Sequence, residues 1–177
     1  MVAIAVIWQW IYNPEFGLLN YVLSWFGIRG PTWLTSTTWA MIAVIMTAVW
    51  KNLGFNMLIF LAGLQSIPES YYEAAAIDGA RWWARFRHIT VPLLAPTTFF
   101  VTVMAVINSF QVFDIVYLMT QGGPARSTSV LVYYIYQNAF QFFDMGYASA
   151  VAYVLFFVVL FLTLLQFLRQ KRISIFY

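Results

Sequence analysis

Three stretches of this sequence, Trp39–Leu64, Pro96–Thr120 and Met145–Leu168, run on with almost no charge: Lys51 and Asp114 are the only ionised side chains inside them. A helix needs about 20 consecutive, mostly apolar residues to cross the hydrocarbon core of a bilayer. Each stretch meets that length, so the expected fold is an all-α membrane protein, a polytopic transmembrane helix bundle. Composition agrees. Of the 177 residues, 63% are hydrophobic and 8% charged, where a soluble domain carries about a quarter charged. The aromatic share of 20% is rich in Trp and Tyr, residues that favour headgroup depth. The net charge of +3 is gathered into no basic stripe, so nucleic acid is not an expected partner. With no cysteine, disulfides, thiolate metal sites and cysteine nucleophiles are excluded.

The shorter apolar pieces read differently. Met1–Tyr12 is too short to span and reads as the end of a helix whose beginning is missing. Phe16–Ile28, closed by Gly30 and Pro31, suits an interfacial or re-entrant helix, as does the mixed stretch Thr128–Phe143. Basic residues set the orientation. The Gln65–Ala95 loop holds Arg81, Arg85 and Arg87, and the C-terminal tail holds Arg169, Lys171 and Arg172. The two other loops hold one Arg each, Arg29 and Arg126. Alternating spans put both basic segments on one side, which is expected to be cytoplasmic.

The Gln65–Ala95 loop carries its own structure signals. Ser66-Ile67-Pro68-Glu69 is a capping-box pattern with Pro in the first turn. A helix of roughly Ile67–Asp78 follows, built on Ala74, Ala75 and Ala76, with Gly79 where a terminating glycine belongs. A second short helix, about Arg81–His88, mixes aromatics with arginines, and Pro92 and Pro96 mark entry into the next span. The expectation is a helix–turn–helix at the cytoplasmic surface.

The spacing Glu73-Ala74-Ala75, three residues, Gly79, nine residues, Ile89, one residue, Val91-Pro92 resembles the coupling motif of binding-protein-dependent importer permeases, with Val91 where Leu is usual. Leu64–Pro68, Ala76–Ala80, Gln121–Pro124 and Met145–Ala150 are similar to the carbohydrate branch, specifically the maltose- and glycerophosphate-type first permease. The resemblance runs from Trp8 to the C-terminus. It implies one partial permease domain over 1–177, shortened at the N-terminus, with a cytoplasmic coupling loop over 65–95. It further implies that Glu73, Ala74, Ala75, Asp78, Gly79, Ile89 and Pro92 couple to a separate ATPase. The implied partners are an ATPase dimer, a second permease subunit, an extracytoplasmic solute-binding protein and a sugar-like solute. The implied location is a bacterial or archaeal cytoplasmic membrane, multi-pass, with the C-terminus inside. A simpler reading of the loop is a helix resting on headgroups, with Trp82, Trp83 and Phe86 buried and the arginines on phosphates.

Polar residues inside a bilayer are costly and usually functional. Lys51, Asn52, Phe55 and Asn56 in the first span, and Asn108, Gln111 and Asp114 in the second, combine amides, charges and aromatics of the kind a sugar path needs. Counted from the outer ends at about 1.5 Å per residue, Lys51 lies about 18 Å deep and Asp114 about 9 Å. The two either pair or line a water-filled cavity, and the amides either contact solute or tie helices together. His88 has no second metal ligand beside it and receives no catalytic role. No phosphate-binding Gly-x-x-x-x-Gly-Lys-Ser/Thr loop and no His-Glu-x-x-His motif occurs. The chain is therefore not expected to be an enzyme or to hold a cofactor, and ATP is left to the partner. The alternative is a non-transporting scaffold or an inactive fragment of such a permease.

Overall fold

The computed structural model describes residues 2–173, the last three of these as helical backbone only. Met1 and 174–177 lie outside the described residues, as do the side chains of Lys171 and Arg172 in the basic tail. Helices form throughout and no strand occurs among the described residues. Val2–Ile11 is α1 and Leu18–Trp25 is α2. Trp39–Gln65 is α3, a helix of 27 residues that is long and apolar enough to cross a membrane. Glu69–Ile77 is α4 and Trp82–Arg85 is α5. A π-helical turn, Phe86–Thr90, leads into α6, Val91–Leu93. Ala95–Phe110 is α7 and Asp114–Met119 is α8. Leu131–Tyr136 is α9, which continues as a second π turn, Gln137–Gln141. Met145–Ile173 is α10, also of spanning length and character.

The expected span Pro96–Thr120 is not one helix. It ends at Phe110, and Gln111 and Phe113 leave helical geometry before α8 starts at Asp114. Packing decides this. Ile115, Val116 and Met119 of α8 are buried in the main core with Ala5 of α1 and Ala43 and Val44 of α3. Asp114 takes the first turn of α8, where a carboxylate is favoured by the exposed N–H groups. Trp82–Leu93 and Ala95–Phe110 instead form a bent pair whose axes differ by 62°, with the length and apolar character of a span only when taken together. Two prolines set that bend. Pro92 and Pro96 each lack an N–H, and each ring crowds the carbonyl four residues back. The π turn absorbs the first, with Val91 N–H donating to Phe86 O. The second falls in the opening turn of α7, where a missing donor costs little.

Side-chain hydrogen bonds tie one end of the bundle together. Tyr12 is fully buried, and its hydroxyl donates to Ala43 O at 3.1 Å. Thr47 Oγ1 donates to the same carbonyl at 2.9 Å, and Gln9 Nε2 donates to Leu118 O at 2.7 Å, tying α1 to α8. Trp33 Nε1 donates to Asn20 Oδ1 at 2.7 Å, while the Asn20 amide nitrogen donates to Pro14 O and Pro31 O, so one side chain staples α2 to the loop beside it.

At the opposite end, Gly63 near the close of α3 faces Leu94 and Thr97 at the start of α7. A Cβ added to Gly63 would sit 2.6 Å from Thr97 Oγ1 and 3.0 Å from Leu94 Cδ2. Phe99 of α7 meets Phe167 of α10 edge to face at 5.1 Å. The end of α3, the start of α7 and the end of α10 therefore share one end of the bundle. Both basic segments of the sequence fall there.

Glycine placement gives a test. Gly63→Val should force α3 off α7 and destabilise by about 1–3 kcal/mol, as overpacking of a close contact does. Gly54, on the same helix with nothing within 4 Å of its would-be Cβ, should accept Ala without loss. Thermal unfolding in detergent should show a lower Tm for the first and an unchanged or slightly higher Tm for the second. Equal Tm values would remove the close packing of α3 on α7.

Candidate functional site

The helix pair between α3 and α7 is built by local rules. α3 runs on to Gln65, so Ser66 is its C-cap, and the Ser66 hydroxyl donates to Gly63 O at 2.7 Å. The expected capping box at Ser66–Glu69 consequently does not form. Pro68 holds the N-cap of α4 in extended geometry with no side-chain cap, and the helix covers Glu69–Ile77 rather than Ile67–Asp78. Its far end behaves as the glycine signals: Gly79 has φ +73°. Ala80 N–H donates to Ala75 O at 2.9 Å and Gly79 N–H to Ala76 O at 3.0 Å, the paired bonds of a Schellman stop. Nothing lies within 4 Å of a Cβ built on Gly79. Glycine is required there by backbone conformation alone.

What this turn presents is unusual. Across α4 no residue is buried. Glu73, Ala74, Asp78 and Gly79 are exposed, Ala75 is half-buried, and Ile77 is 87% exposed. A nine-residue helix is too short to be stable through its own hydrogen bonds, and this one has no apolar face against the bundle. Two side-chain bonds hold it. Tyr72 OH and Thr90 Oγ1 lie 2.9 Å apart, with Thr90 buried. Arg85 Nε donates to Ala80 O at 2.8 Å, closing the turn from the α5 side.

The motif residues thus divide. Glu73, Ala74, Ala75, Asp78 and Gly79 form the outward helix and its stop. Ile89 and Pro92 are half-buried in the bent element that leads into the span. The Tyr72–Thr90 contact was not legible in the sequence, because it joins residues 18 apart across a turn. Pro92 and Pro96, which the sequence marks as the entry into the next span, lie at the bend.

The polar span residues lie apart from this pair. Asn52 Nδ2 donates to Ala48 O of its own helix at 2.9 Å. Lys51 and Asn56 are half-buried on α3, and Phe55 is exposed there. Asn108, Gln111 and Asp114 are exposed around the break between α7 and α8. No hydrogen bond or ion pair joins Lys51 to Asp114 among the described residues. The break also removes the helical register from which a depth of about 9 Å for Asp114 follows. Beside the break lies an aromatic group absent from the sequence expectations. Phe113 stacks on Tyr117 at 5.3 Å and meets Tyr136 at 5.2 Å, and Tyr117 meets Tyr136 edge-on at 5.3 Å. A separate cleft of about 580 Å³ lies in the loop after α1, with Glu15, Asn20 and Arg29 on its walls. No group of metal-ligating side chains occurs among the described residues.

Residues 1–175 match the family described as binding-protein-dependent transport system inner membrane component. The sulfoquinovosyl glycerol transport system permease protein SmoG of Agrobacterium fabrum is 46% identical over 151 residues, covering 85% of this chain and 49% of its own length. The sn-glycerol-3-phosphate transport system permease protein UgpA of the same organism is 42% identical, covering 95% of this chain and 58% of its own. The lactose transport system permease protein LacF of Rhizobium radiobacter is 40% identical, with 97% and 59% covered. The chain therefore spans roughly half to three-fifths of these relatives. A bacterial ABC transporter that imports the acidic polysaccharide alginate superposes with a TM-score of 0.87 at 29% identity, over 98% of this chain and 61% of the other.

If the Tyr72–Thr90 bond holds α4 in place, Tyr72→Phe and Thr90→Val should each loosen it by about 0.5–1.5 kcal/mol, the usual net worth of such a bond. The double variant should be no worse than either single one. Limited trypsin digestion at Arg81 and Arg85 reads the opening. Additive acceleration in the double variant would show that the two hydroxyls act independently.

Proposed function

The chain belongs to the family of binding-protein-dependent transport system inner membrane components, and on that premise we propose that it is a permease subunit of an ATP-binding-cassette importer. Its cargo class is a sugar or a related polyol or glycerophosphate, the chemistry named for SmoG, UgpA and LacF. The observation that carries the reading is α4, a short helix with no buried residue, ended by a glycine in the left-handed region that a β-branched residue resists. Such a helix needs a protein to cover it. Small Ala74 and Ala75 permit close approach, Ile77 offers an apolar contact, and Glu73 and Asp78 edge it with charge.

In this reading α4 enters a cleft on the ATPase, on the cytoplasmic side of the inner membrane where the end of α10 also lies. A second permease subunit completes the path, and an extracytoplasmic solute-binding protein delivers cargo. A complex of the alginate transporter with a ligand-bound periplasmic protein supports the last partner. Lys51, Asn52, Phe55 and Asn56 on α3 and Asn108, Gln111 and Asp114 at the α7–α8 break line the solute route, where amides and charges meet sugar hydroxyls. A scaffold would use the amides to tie helices together, whereas among the described residues Asn52 bonds only Ala48 O of its own helix.

Uptake by the complete importer tests the proposal. Gly79→Val should abolish transport while membrane insertion stays normal. Glu73→Lys should weaken ATPase association more at low salt than at high salt, since screening grows with ionic strength. Lys51→Met and Asn108→Ala should lower uptake without lowering the yield of assembled complex. Normal uptake by Gly79→Val would remove the coupling role, and normal uptake by the other two would remove the route.

A further inference from the structure

The two halves of the membrane-edge pair carry opposite charge. α4 and its cap hold Glu69, Glu73 and Asp78 and no base, whereas Arg81, Arg85, Arg87 and His88 follow with no acid until Asp114. Their surfaces differ as well. Trp82, Trp83 and Phe86 gather into one aromatic face: Trp82 stacks on Phe86 at 5.9 Å and 11°, Trp83 on Phe86 at 5.5 Å, and the two indoles lie 5.6 Å apart. These rings are 73%, 60% and 40% exposed. Arg81, Arg87 and His88, neighbours in sequence, are exposed as well. Arg85 is turned back onto Ala80 O and takes no part in the face.

We propose that this aromatic and basic face of α5 and its π turn is a membrane-surface anchor that seats among anionic phospholipid headgroups, leaving α4 alone to meet the ATPase. Three observations favour lipid over protein as the occupant. First, indoles settle at headgroup depth, and exposed Arg side chains there gain from anionic lipid. The acidic α4 would be repelled by the same surface, so charge sorts the halves between two partners. Second, the segment is continuous with the bilayer. Trp82–Leu93 and Ala95–Phe110 together have the length and apolar character of a span, bent by 62°. If α7 runs near the membrane normal, α5 and α6 lie closer to the membrane plane than to its normal. Third, Val91 and Leu93 are exposed beyond the rings, extending the apolar face toward the span. Anchored this way, α5 is a fixed pivot, and motion of α4 passes to α7 through the bend. The assignment of α4 rests on the function proposed above, and the lipid contact does not.

Quenching of tryptophan fluorescence by phospholipids brominated near the headgroup end of their acyl chains tests the anchor. The assembled permease is placed in nanodiscs of phosphatidylcholine with and without phosphatidylglycerol. The paired substitution Trp82→Phe with Trp83→Phe keeps the aromatic packing and removes the two reporters. Wild type should lose a larger share of its emission than this variant. The difference should persist when ATPase subunits bind. Arg81→Gln with Arg87→Gln should shrink it in discs holding phosphatidylglycerol and leave it unchanged in pure phosphatidylcholine. Equal quenching of wild type and the paired variant overturns the anchor. So does a difference that disappears on ATPase binding, which would assign the face to the ATPase. Glu73→Lys in the same discs should release ATPase and leave the quenching intact, separating failure of the anchor from failure of the coupling role.

Discussion

An unpaired N–H or C=O in hydrocarbon costs several kcal/mol, so a chain in a bilayer must satisfy its backbone within each element. That constraint explains why α3 and α10 are long uninterrupted helices, and why departures from helix gather at few places. Where Pro92 removes a donor, the ladder shifts to π bonding, with Val91 N–H reaching Phe86 O. Where the chain must reverse, Gly79 closes α4 with two backbone bonds. After α7, the chain breaks at Gln111–Phe113 and starts afresh at Asp114, because the apolar side chains of α8 belong in the core beside α1 and α3.

Those departures are also where the candidate site lies. α4 is attached to the bundle through the Tyr72–Thr90 contact, the Arg85–Ala80 bond and the short link to α3. α3 in turn meets α7 at Gly63, with Leu94 and Thr97 against its backbone. A displacement of α4 thus has two rigid outlets, one into α3 and one through the proline bend into α7. In the proposed coupling role, a partner-bound α4 passes its motion onward through the close contacts at its base, because packed helices slide rather than compress.

Much of this was legible in the sequence, and for identifiable reasons. Trp39–Leu64 and Met145–Leu168 announced themselves by length and lack of charge, and Gly79 by following a run of alanines. The basic residues pointed to a shared end for the loop and the tail, and Gly63 and Phe99–Phe167 place the relevant helix ends together. The break within Pro96–Thr120 was hidden, since neither Gly nor Pro marks it and its polar residues Asn108, Gln111 and Asp114 read equally well as the lining of a solute path. Side-chain hydrogen bonds such as Ser66 to Gly63, which displaced the expected cap, depend on where α3 stops. Helix ends are the least certain feature of any sequence reading. The meeting of Phe113, Tyr117 and Tyr136 joins residues from separate helices, a relation that no local pattern encodes.

The coupling role of α4 requires that another protein cover it. Backbone hydrogen exchange over Glu69–Ile77, measured on the membrane-embedded permease with and without its ATPase, addresses this directly. Without the ATPase these amides should exchange fast, as expected of a short helix with no buried residue. With the ATPase bound they should become strongly protected, while amides in the middle of α3 stay unchanged. Equal exchange over Glu69–Ile77 in the two states, whether fast or slow, would contradict the assignment of α4 as the docking helix.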